Sequence, residues 1–332
     1  MGDLMHAVGY RKPLPVDDPE SLVDAEVPVP TPAAHELLVR VEAISVNPAD
    51  VKTRRQADPH GFRILGNDAA GVVVANGPNV SRFVVGDEVY YAGRIDRPGS
   101  AAGYQVVNEN IVGHKPASID FGDAAALPLT TITAWEILFD HFGLQPGDAG
   151  TLLVIGAAGG VGSMVLQLAR ARTRLTVLGT AGRGESQKWA TEMGAHHIVD
   201  RHDLVDSVHA VAPDGVDYIV SPFSRGNIDN YAAVIRPFGH IAAIDEPTGL
   251  DLLPLKPKSV AWHWELMFTR PILLPEDPYQ HELLEKTAKL VNAGKVRSTA
   301  TTRLGPLNAE TLRDAHARVE SSATIGKVVV TR

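Results

Sequence analysis

The chain has 332 residues, of which 44% are hydrophobic and 21% are charged, as in a globular protein of about two domains. The formal net charge of −8 argues against nucleic-acid binding, and the absence of cysteine excludes disulfides, a catalytic thiolate and cysteine-based zinc sites. No apolar run reaches about 18 residues and the N-terminal segment lacks a signal-peptide core, so we expect no membrane association and a cytoplasmic location.

The first 125 or so residues carry short apolar runs and turn signals. Val39 to Val46 and Gly71 to Val74 are typical of strands, and Asn76-Gly77-Pro78 marks a turn after the second run. Gly86 to Tyr91 shows a further turn followed by a strand pattern. Because strands and helices do not alternate here, the pattern predicts a partly open β-barrel with few helices.

From about residue 125, strand patterns alternate with helices of about ten residues. A predicted helix over 124–142 comes first, with Pro128 inside it or just before it. The predicted strands are 152–155, 175–178, 197–199, 218–220 and 240–244. The predicted helices between them are 160–172, 185–193 and 227–235. This alternation predicts an α/β fold with a parallel, doubly wound sheet and helices on both faces.

The tail departs from that alternation. A helix is predicted over 279–292, a second over 308–320 with Asn308 as its N-cap, and a closing strand over 327–331. We therefore expect the tail to return to the first domain. The predicted domains are 1–125 (first part of a barrel-like catalytic domain), 126–268 (a dinucleotide-binding domain) and 269–332 (return to the catalytic domain).

Residues 152–172 (LLVIGAAGGVGSMVLQLARAR) carry the clearest functional signal. A strand runs through a glycine-rich turn into a helix, and free backbone N–H groups and the helix dipole converge at such a turn to bind an anion. In a βαβ unit that anion is usually the pyrophosphate of a dinucleotide. Ala157 replaces the first glycine of the usual fingerprint. The candidate cofactor contacts are Ala157, Ala158, Gly159, Gly160, Val161 and Gly162.

Several segments together resemble one known family. They are residues 46–50 (VNPAD), 65–73 (LGNDAAGVV), 85–89 (VGDEV), 126–136 (ALPLTTITAWE), the glycine turn, 193–195 (MGA) and 262–270 (WHWELMFTR). Along its whole length the chain resembles the medium-chain dehydrogenase/reductase superfamily, and within it the zinc-free quinone oxidoreductase or "zinc-type alcohol dehydrogenase-like" branch. The resemblance implies a GroES-like β-barrel catalytic domain, a Rossmann domain, a nicotinamide cofactor and a homodimer.

The chain departs from the zinc enzymes of that family at both metal sites. Those enzymes place a ligand cysteine near the position of Pro48 or Ala49 and a ligand histidine where Asn67 stands. The cysteine-rich structural lobe is also missing from 93–103. We therefore expect no metal. Hydride transfer from a reduced nicotinamide to a quinone or an α,β-unsaturated carbonyl suits such a site, because these acceptors are already electrophilic.

The choice of cofactor is partly readable from the second strand of the predicted sheet. NAD enzymes usually carry an acidic residue at the end of this strand, but here the strand end and the residues after it read LGTAGR (178–183), and no carboxylate appears until Glu185. Thr180 is a further candidate cofactor contact. Arg183, Lys188 and Arg201 are candidates to hold a 2′-phosphate, so the sequence favours NADPH. The alternative is that these three are solvated surface charges.

The candidate catalytic residues follow from the resemblance and from chemistry. Asn47 is expected to bond a ribose hydroxyl or the substrate carbonyl, with capping of the turn before Pro48 as the alternative. Thr131 is expected to face the nicotinamide. Tyr91 and Tyr104 are candidates to orient a carbonyl or donate a proton, with packing as the alternative. Asp50 is expected to cap the helix that follows it.

Three more residues complete the candidate cofactor contacts. Ser221 and Ile244 end the fourth and fifth strands, where ligands gather in doubly wound sheets. Lys327 is expected to reach the cofactor from the tail, or else to form a salt bridge at the edge of the core.

Two other functions remain open from the sequence. One is an alcohol or carbonyl dehydrogenase that holds a metal through Asp50, Asp68 and His60. The other is a non-catalytic NADPH-binding redox sensor, because the nucleotide fold survives loss of catalysis. The expected partners are a small-molecule substrate and a second copy of the chain, paired along the sheet edge formed by 240–244 and 259–268.

Overall fold

The computed structural model of the protein describes residues 3–182 and 184–332. The chain divides into two compact units: unit 1 takes in the chain up to residue 132 and from residue 268 onward, and unit 2 is residues 133–267. The boundaries predicted from the sequence lie after residues 125 and 268. None of the helices within the described residues combines the length and apolar composition needed to cross a bilayer.

The strands of the described residues are β1 (Leu4–Tyr10), β2 (Val23–Pro28), β3 (Glu36–Val46), β4 (Arg63–Ile64), β5 (Asp68–Asn76), β6 (Glu88–Ala92), β7 (Tyr104–Asn108), β8 (Val112–His114), β9 (Thr151–Val154), β10 (Thr176–Thr180), β11 (His197–Val199), β12 (Val216–Ser221), β13 (Ile235–Ala243), β14 (Ala261–Trp264), β15 (Ala300–Leu304) and β16 (Lys327–Thr331).

The α-helices are α1 (Pro48–Gln56), α2 (Phe121–Ala125), α3 (Pro128–Trp135), α4 (Gly160–Arg172), α5 (Gly184–Met193), α6 (Leu204–Val211), α7 (Ile228–Val234), α8 (Thr269–Leu273), α9 (Tyr279–Asn292) and α10 (Ala309–Glu320). The helix predicted over 124–142 is in fact broken: α2 ends at Ala125, α3 starts at Pro128, and Glu136–His141 is π-helical. Pro128 takes the first position of α3, where its missing N–H costs nothing.

Unit 1 is built on a mainly antiparallel sheet in the order β15-β16-β3-β5-β6-β8, with β7 also paired to β3. A smaller sheet has the order β2-β1-β4. The tail strand β16 pairs antiparallel with β3, with Val328 opposite Val46, so the end of the chain joins the sheet formed by its beginning. The predicted barrel-like class is confirmed. The predicted N-cap of α10 is also present, since Asn308 Oδ1 accepts the N–H of Thr311 (2.8 Å).

Unit 2 is a parallel sheet in the order β11-β10-β9-β12-β13-β14. In chain order this is three-two-one-four-five-six, so the strand order reverses between β9 and β12. Doubly wound sheets bind ligands in the crevice at the carboxyl ends of the strands on either side of such a reversal. The predicted α/β class is confirmed, and the glycine-rich turn leaves the sheet at the end of β9.

Candidate active site

The glycine-rich turn of unit 2 presents free backbone donors. β9 enters the turn and α4 begins at Gly160. The amide N–H groups of Gly160, Val161 and Gly162 have no backbone acceptor within the described residues, and the first backbone bond of α4 runs from the Ser163 N–H to the Gly159 carbonyl oxygen (2.9 Å). These donors and the helix dipole suit a pyrophosphate.

Two close approaches explain the composition of the turn. A Cβ added to Gly162 would lie 2.5 Å from the Gly156 carbonyl oxygen, so the turn packs against α4 only with glycine there. A Cβ added to Gly179 in β10 would lie 2.8 Å from the Cβ of Ala157. The methyl group that Ala157 adds to the usual fingerprint therefore fits because the neighbouring strand carries glycine.

Thr180 holds the turn in place. Its Oγ1 accepts the N–H of Gly156 (2.9 Å), and its carbonyl oxygen accepts the N–H of Ala157 (3.1 Å). The side chain is buried. The structure therefore places Thr180 under the turn as a support for the residues that would meet a phosphate.

The end of β10 carries no carboxylate among residues 176–182. A Cβ added to Gly182 would lie 3.6 Å from the guanidinium carbon of Arg201, so Arg201 reaches the loop that follows β10. Lys188 is exposed on α5. Arg183, the third predicted phosphate contact, lies outside the described residues. Arg201 is thus the one of the three whose contact with the loop after β10, where an NAD enzyme would carry an acid, is seen in the described residues.

Ser221 ends β12, Ile244 directly follows the neighbouring strand β13, and the Ile244 N–H donates to the Ser221 carbonyl oxygen (3.0 Å). The Ser221 hydroxyl is fully buried. It bonds the hydroxyl of Tyr231 (2.7 Å) and accepts the N–H of Phe223 (3.1 Å). Ser221 therefore shapes the loop that follows β12.

Unit 1 holds a buried polar cluster, which we define as Asn47, Asp50, Asn67, Asp68 and Lys327. The Lys327 ammonium lies 3.0 Å from Asp68 Oδ2 and also bonds Asn47 Oδ1 and the Val46 carbonyl oxygen. Asn47 Nδ2 donates to Asp68 Oδ2 (2.8 Å). The other oxygen of Asp68, Oδ1, accepts the N–H of Leu129 in the first turn of α3 (2.8 Å). The cluster thus joins β16, the start of α1, β5 and α3.

Asp50 is the second carboxylate of the polar cluster. Its Oδ2 accepts the N–H of Asn47, which caps α1 as expected, and its Oδ1 accepts from Asn67 Nδ2 (2.8 Å and 2.7 Å). Burial raises the pKa of Asp50 to about 7, against the lowering effects of the Asn47 hydrogen bond and of the Lys327 charge; Asp68 raises it further. The Lys327 ammonium is thus the nearby positive charge for both carboxylates, but it contacts only that of Asp68.

The polar cluster saturates the predicted ligands Asn47 and Lys327. The Lys327 ammonium has three acceptors: Asn47 Oδ1 and Asp68 Oδ2 of the cluster, and the carbonyl oxygen of Val46. The Asn47 amide donates to Asp68 and to the Ser45 carbonyl oxygen. For Lys327 the structure shows the salt bridge that the sequence left open as the alternative to a cofactor contact. The role of Asn47 toward a ligand stays a prediction.

The polar cluster does not fit a zinc ion. Asn67 stands at the family's histidine position, and its amide nitrogen is bonded to Asp50. Asp68 is paired with the Lys327 ammonium, which has no lone pair to bind a metal ion and already occupies the carboxylate. His60, the third donor weighed from the sequence, is exposed, with Asp58 as its neighbour. Within the described residues no group of three or more His, Asp or Glu side chains is arranged to hold a metal.

The other predicted catalytic residues lie in different settings. Thr131 is fully buried, and its hydroxyl has no hydrogen-bond partner in the described residues. Tyr91 belongs to the hydrophobic core of unit 1, where its hydroxyl is also unpartnered in the described part of the chain and burial raises its pKa well above 10.0. Tyr104 is half-buried and packs against the same core. Of these three residues, Thr131 lies on α3, and its hydroxyl is available to a ligand.

Two residues of interest were missed by sequence reasoning. Asp68 was weighed only as a metal donor, although it is the partner of Lys327. A lysine that opens an apolar strand was the available signal for a buried ion pair. Phe223, after β12, is 56% exposed next to the glycine turn, and no sequence pattern marks it.

Comparison with known proteins agrees with this architecture. One family model, the alcohol dehydrogenase GroES-like domain, matches residues 33–117, and another, zinc-binding dehydrogenase, matches residues 193–330. A zinc-type alcohol dehydrogenase-like protein of Staphylococcus aureus (strain MRSA252) is 40% identical over 98% of this chain and 99% of its own. A quinone oxidoreductase of Pongo abelii is 31% identical over 71% of this chain and 72% of its own.

A solved structure from Rhizobium etli CFN 42, provisionally named a zinc-dependent alcohol dehydrogenase protein, matches with a TM-score of 0.96 and 46% identity over 100% of this chain and 99% of that chain. A GroES-like unit combined with a doubly wound parallel sheet defines a class of two-domain oxidoreductases. The chain belongs to the medium-chain dehydrogenase/reductase superfamily.

The buried ion pair predicts a strong coupling between Lys327 and Asp68. Lys327→Met leaves the Asp68 carboxylate buried without its cation, so we expect a loss of roughly 3–5 kcal/mol in the free energy of unfolding. Adding Asp68→Asn should recover part of that loss, because the charge left behind is removed. Urea denaturation measures both. The control Arg318→Met breaks the exposed Arg318–Asp314 pair and should cost less than about 1 kcal/mol. Equal losses in the single and double variants would contradict the coupling.

The pKa values predict two opposite slopes in stability against pH. The pKa of Asp50 is raised from 3.8 to about 7, so its contribution is complete below about pH 4 and is lost as pH rises through 7. Burial lowers the pKa of His316 from 6.5 to about 3, so its contribution is complete above about 6.5 and is lost as pH falls toward 3.

Variants separate the two groups. The free energy of unfolding of Asp50→Asn minus that of wild type should rise between pH 4 and 7, by up to roughly 4 kcal/mol. For His316→Gln the same difference should fall as pH rises from about 3 to 6.5, by up to roughly 4 kcal/mol. Chemical denaturation at a series of pH values gives the curves. Parallel profiles for all three proteins would show that neither group titrates as described.

Proposed function

We propose that this chain is an NADPH-dependent reductase that transfers hydride to a quinone or an α,β-unsaturated carbonyl and does so without a metal ion. The observation that carries the proposal is the lysine in the polar cluster. Where the zinc enzymes of the family hold a metal, this chain has Asp68 neutralised by Lys327. Unlike zinc, an ammonium with all its hydrogens engaged cannot polarise an alcohol oxygen.

Acceptors that are already electrophilic suit this arrangement. When bound, the reduced nicotinamide supplies the hydride, and the charge that forms on a quinone or enone delocalises over its conjugated system. The protein then contributes mainly by orienting the two reactants, which is worth roughly 7–11 kcal/mol for well-placed groups. The quinone oxidoreductase relative, at 31% identity, supports this class of acceptor.

Binding of the dinucleotide is assigned to the glycine turn. The free N–H groups of Gly160, Val161 and Gly162 would hold the pyrophosphate, with Thr180 fixing the turn from below. Arg201, next to Gly182, and Lys188 on α5 would meet the 2′-phosphate that distinguishes NADPH from NADH. We assign Ile244 a place at the same carboxyl edge of the sheet.

We expect this chain to form a homodimer, as the resemblance to the family implies. β14 is one edge strand of the parallel sheet of unit 2; Trp264, its last residue, is 52% exposed, and Leu266, just after it, is 58% exposed. Large apolar side chains on an open strand edge favour pairing with another edge. Light scattering after gel filtration measures the mass: twice the chain mass supports the homodimer, and the chain mass alone argues against it.

The activity is tested by the rate of NADPH oxidation with a panel of quinones, enones, saturated aldehydes and saturated ketones, before and after treatment with EDTA. We expect turnover with quinones or enones, no turnover with saturated carbonyls, and the same rates after chelation. Loss of activity with EDTA and recovery with zinc would establish the metal-dependent dehydrogenase instead. NADPH binding without turnover on any acceptor would favour the redox sensor.

Arg201 tests the choice of cofactor. Arg201→Ala should lower the ratio of kcat/KM for NADPH to that for NADH by roughly tenfold to a hundredfold, because a charge-assisted bond to phosphate is lost. Arg318→Ala is the charge-matched control, because Arg318 is an exposed arginine of unit 1, and it should leave the ratio unchanged. An unchanged ratio in Arg201→Ala would refute this assignment.

Thr131 tests the expected contact with the reactants. Thr131→Val keeps the shape and removes a buried hydroxyl that has no partner in the described residues, so stability should stay level or rise. The value of kcat/KM should fall about threefold to tenfold if that hydroxyl bonds a ligand.

Thr130→Val is the matched control for this experiment. The Thr130 hydroxyl already donates to the Leu127 carbonyl oxygen (3.1 Å), so its loss should cost about 1 kcal/mol of stability and leave kcat/KM unchanged. Thermal melts and steady-state kinetics on both variants give the answer. A fully active Thr131→Val would remove Thr131 from the site.

A further inference from the structure

Three histidines of unit 2 have their rings side by side, and we call them the histidine row: His141, His263 and His240. The ring centroids of His141 and His263 are 5.3 Å apart, and those of His263 and His240 are also 5.3 Å apart. His141 ends the π-helical segment that follows α3, His263 lies in β14 and His240 lies in β13. The histidine row therefore joins the edge strand β14 to the neighbouring strand and to a helical segment.

The contact between His240 and His263 is a hydrogen bond between two imidazole rings. His240 Nδ1 lies 3.0 Å from His263 Nε2, and the angle between the ring planes is 7°. In such a bond one nitrogen carries the hydrogen and the other accepts it through a lone pair. At least one of the two rings must therefore be neutral, because two imidazolium rings would point two N–H groups at each other.

The immediate surroundings give these two rings little negative charge. The buried carboxylate of Glu265, just after β14, is bonded to His141, with 2.8 Å between Oε2 and Nε2. The ring of Phe142 lies 6.0 Å from the ring of His240 and 6.0 Å from that of His263. Within the described residues, neither His240 nor His263 forms an ion pair with a carboxylate. A positive charge on both rings would therefore be poorly compensated.

β12 and the start of β13 bring further charged groups near His240. The histidine lines a shallow cavity of about 300 Å³ together with Tyr218, Asp217 and Arg236. Asp217 is already paired with Arg236 (3.0 Å). Tyr218 stays neutral, because burial and the charges of Asp217 and Asp148 raise its pKa. These groups also give a proton on His240 little compensation.

β14 is a strand whose attachment depends on few contacts. It has four residues and lies at an edge of the sheet. It pairs with β13 from Ala261, opposite His240, to Trp264, opposite Ala243. Elements with few stabilising contacts open locally at a lower cost than the core of a domain. The loss of one side-chain contact should therefore change measurably how often β14 opens.

We propose that the histidine row is an acid-sensitive contact, which holds β14 against β13 at neutral pH and loosens it when both His240 and His263 bind a proton. The second proton removes the hydrogen bond between the rings and places like charges next to each other.

The direction of the pH effect follows from the surroundings of the two rings. Burial lowers the pKa of His240 from its usual 6.5. Burial and the charges of His141 and His240 lower the pKa of His263 from the same value. The contribution of the two neutral rings to stability is therefore complete above about pH 6.5 and is lost as pH falls below it.

Hydrogen exchange of the whole protein, followed by mass spectrometry and corrected for the intrinsic effect of pH, tests the proposal. Imidazoles titrate between about pH 7.5 and about pH 5, so the two measurements are made there. We expect the protection factors of β14 to fall about threefold to tenfold in acid, which is the effect of losing one hydrogen bond. Protection in β10, on the other side of β9 in the same sheet, should stay level.

A double variant replaces the titratable bond with a neutral one. His240→Asn keeps a polar atom near the position of Nδ1, and His263→Gln keeps one near the position of Nε2, so these amides can bond each other but cannot take up protons. We expect equal protection of β14 at both pH values in this variant. His197→Gln is the control, because it changes an exposed histidine of the opposite edge strand β11, and it should keep the wild-type response. Thermal melts check that the variants fold.

Three results would overturn the proposal. The first is equal protection of wild-type β14 at both pH values. The second is an equal fall in β14 and β10, which would mean a loss of the whole fold rather than of one strand. The third is a double variant that responds to acid as wild type does. An acid loss that is confined to β14 in wild type and is absent from the double variant establishes the proposal.

The test does not depend on the folding of the double variant. The first two results need only the wild-type protein. If the double variant fails to fold, His263→Gln alone takes its place, because the glutamine amide can accept a hydrogen bond from a charged His240. Its β14 should then stay protected in acid, and an acid loss equal to that of wild type would refute the role of the histidine row.

Discussion

The buried ion pair between Lys327 and Asp68 is the constraint on which unit 1 depends. The two residues are 259 positions apart, and both are almost fully shielded from solvent. Taking two charges out of water is costly, so such a pair persists only with good geometry and with further hydrogen bonds. Asn47 and the start of α3 provide those bonds.

The need to keep Lys327 next to Asp68 also fixes how β16 pairs with β3. Lys327 is the first residue of β16, and the next residue, Val328, lies opposite Val46 of β3. A slip of one residue in this register would turn the ammonium away from Asp68 and place it among the apolar side chains of the core. The ion pair and the strand register therefore specify each other, and together they hold the start of α1 against β5.

Features that depend on residues close together in the sequence could be predicted, and contacts between distant residues could not. The glycine turn, the cap at Asn308 and the parallel order of the second unit rest on patterns within a few dozen residues, and these were predicted. The partner of Lys327 was not, because nothing local distinguishes Asp68 from another carboxylate. Thr130 and Thr131 are equally polar neighbours in the sequence. Only the fold shows that one hydroxyl is bonded and that the other has no partner in the described residues.

Ala157 in the glycine turn and Gly179 in β10 compete for one space. The space beside the glycine turn holds one methyl group, and this chain has placed it on the turn. A relative could place it on the strand instead, with glycine at the position of Ala157. A change from one arrangement to the other must pass through a sequence with glycine at both positions, because alanine at both positions would clash. The order in which the substitutions occur is therefore part of what the structure prescribes, and aligned sequences of relatives should rarely carry both methyl groups.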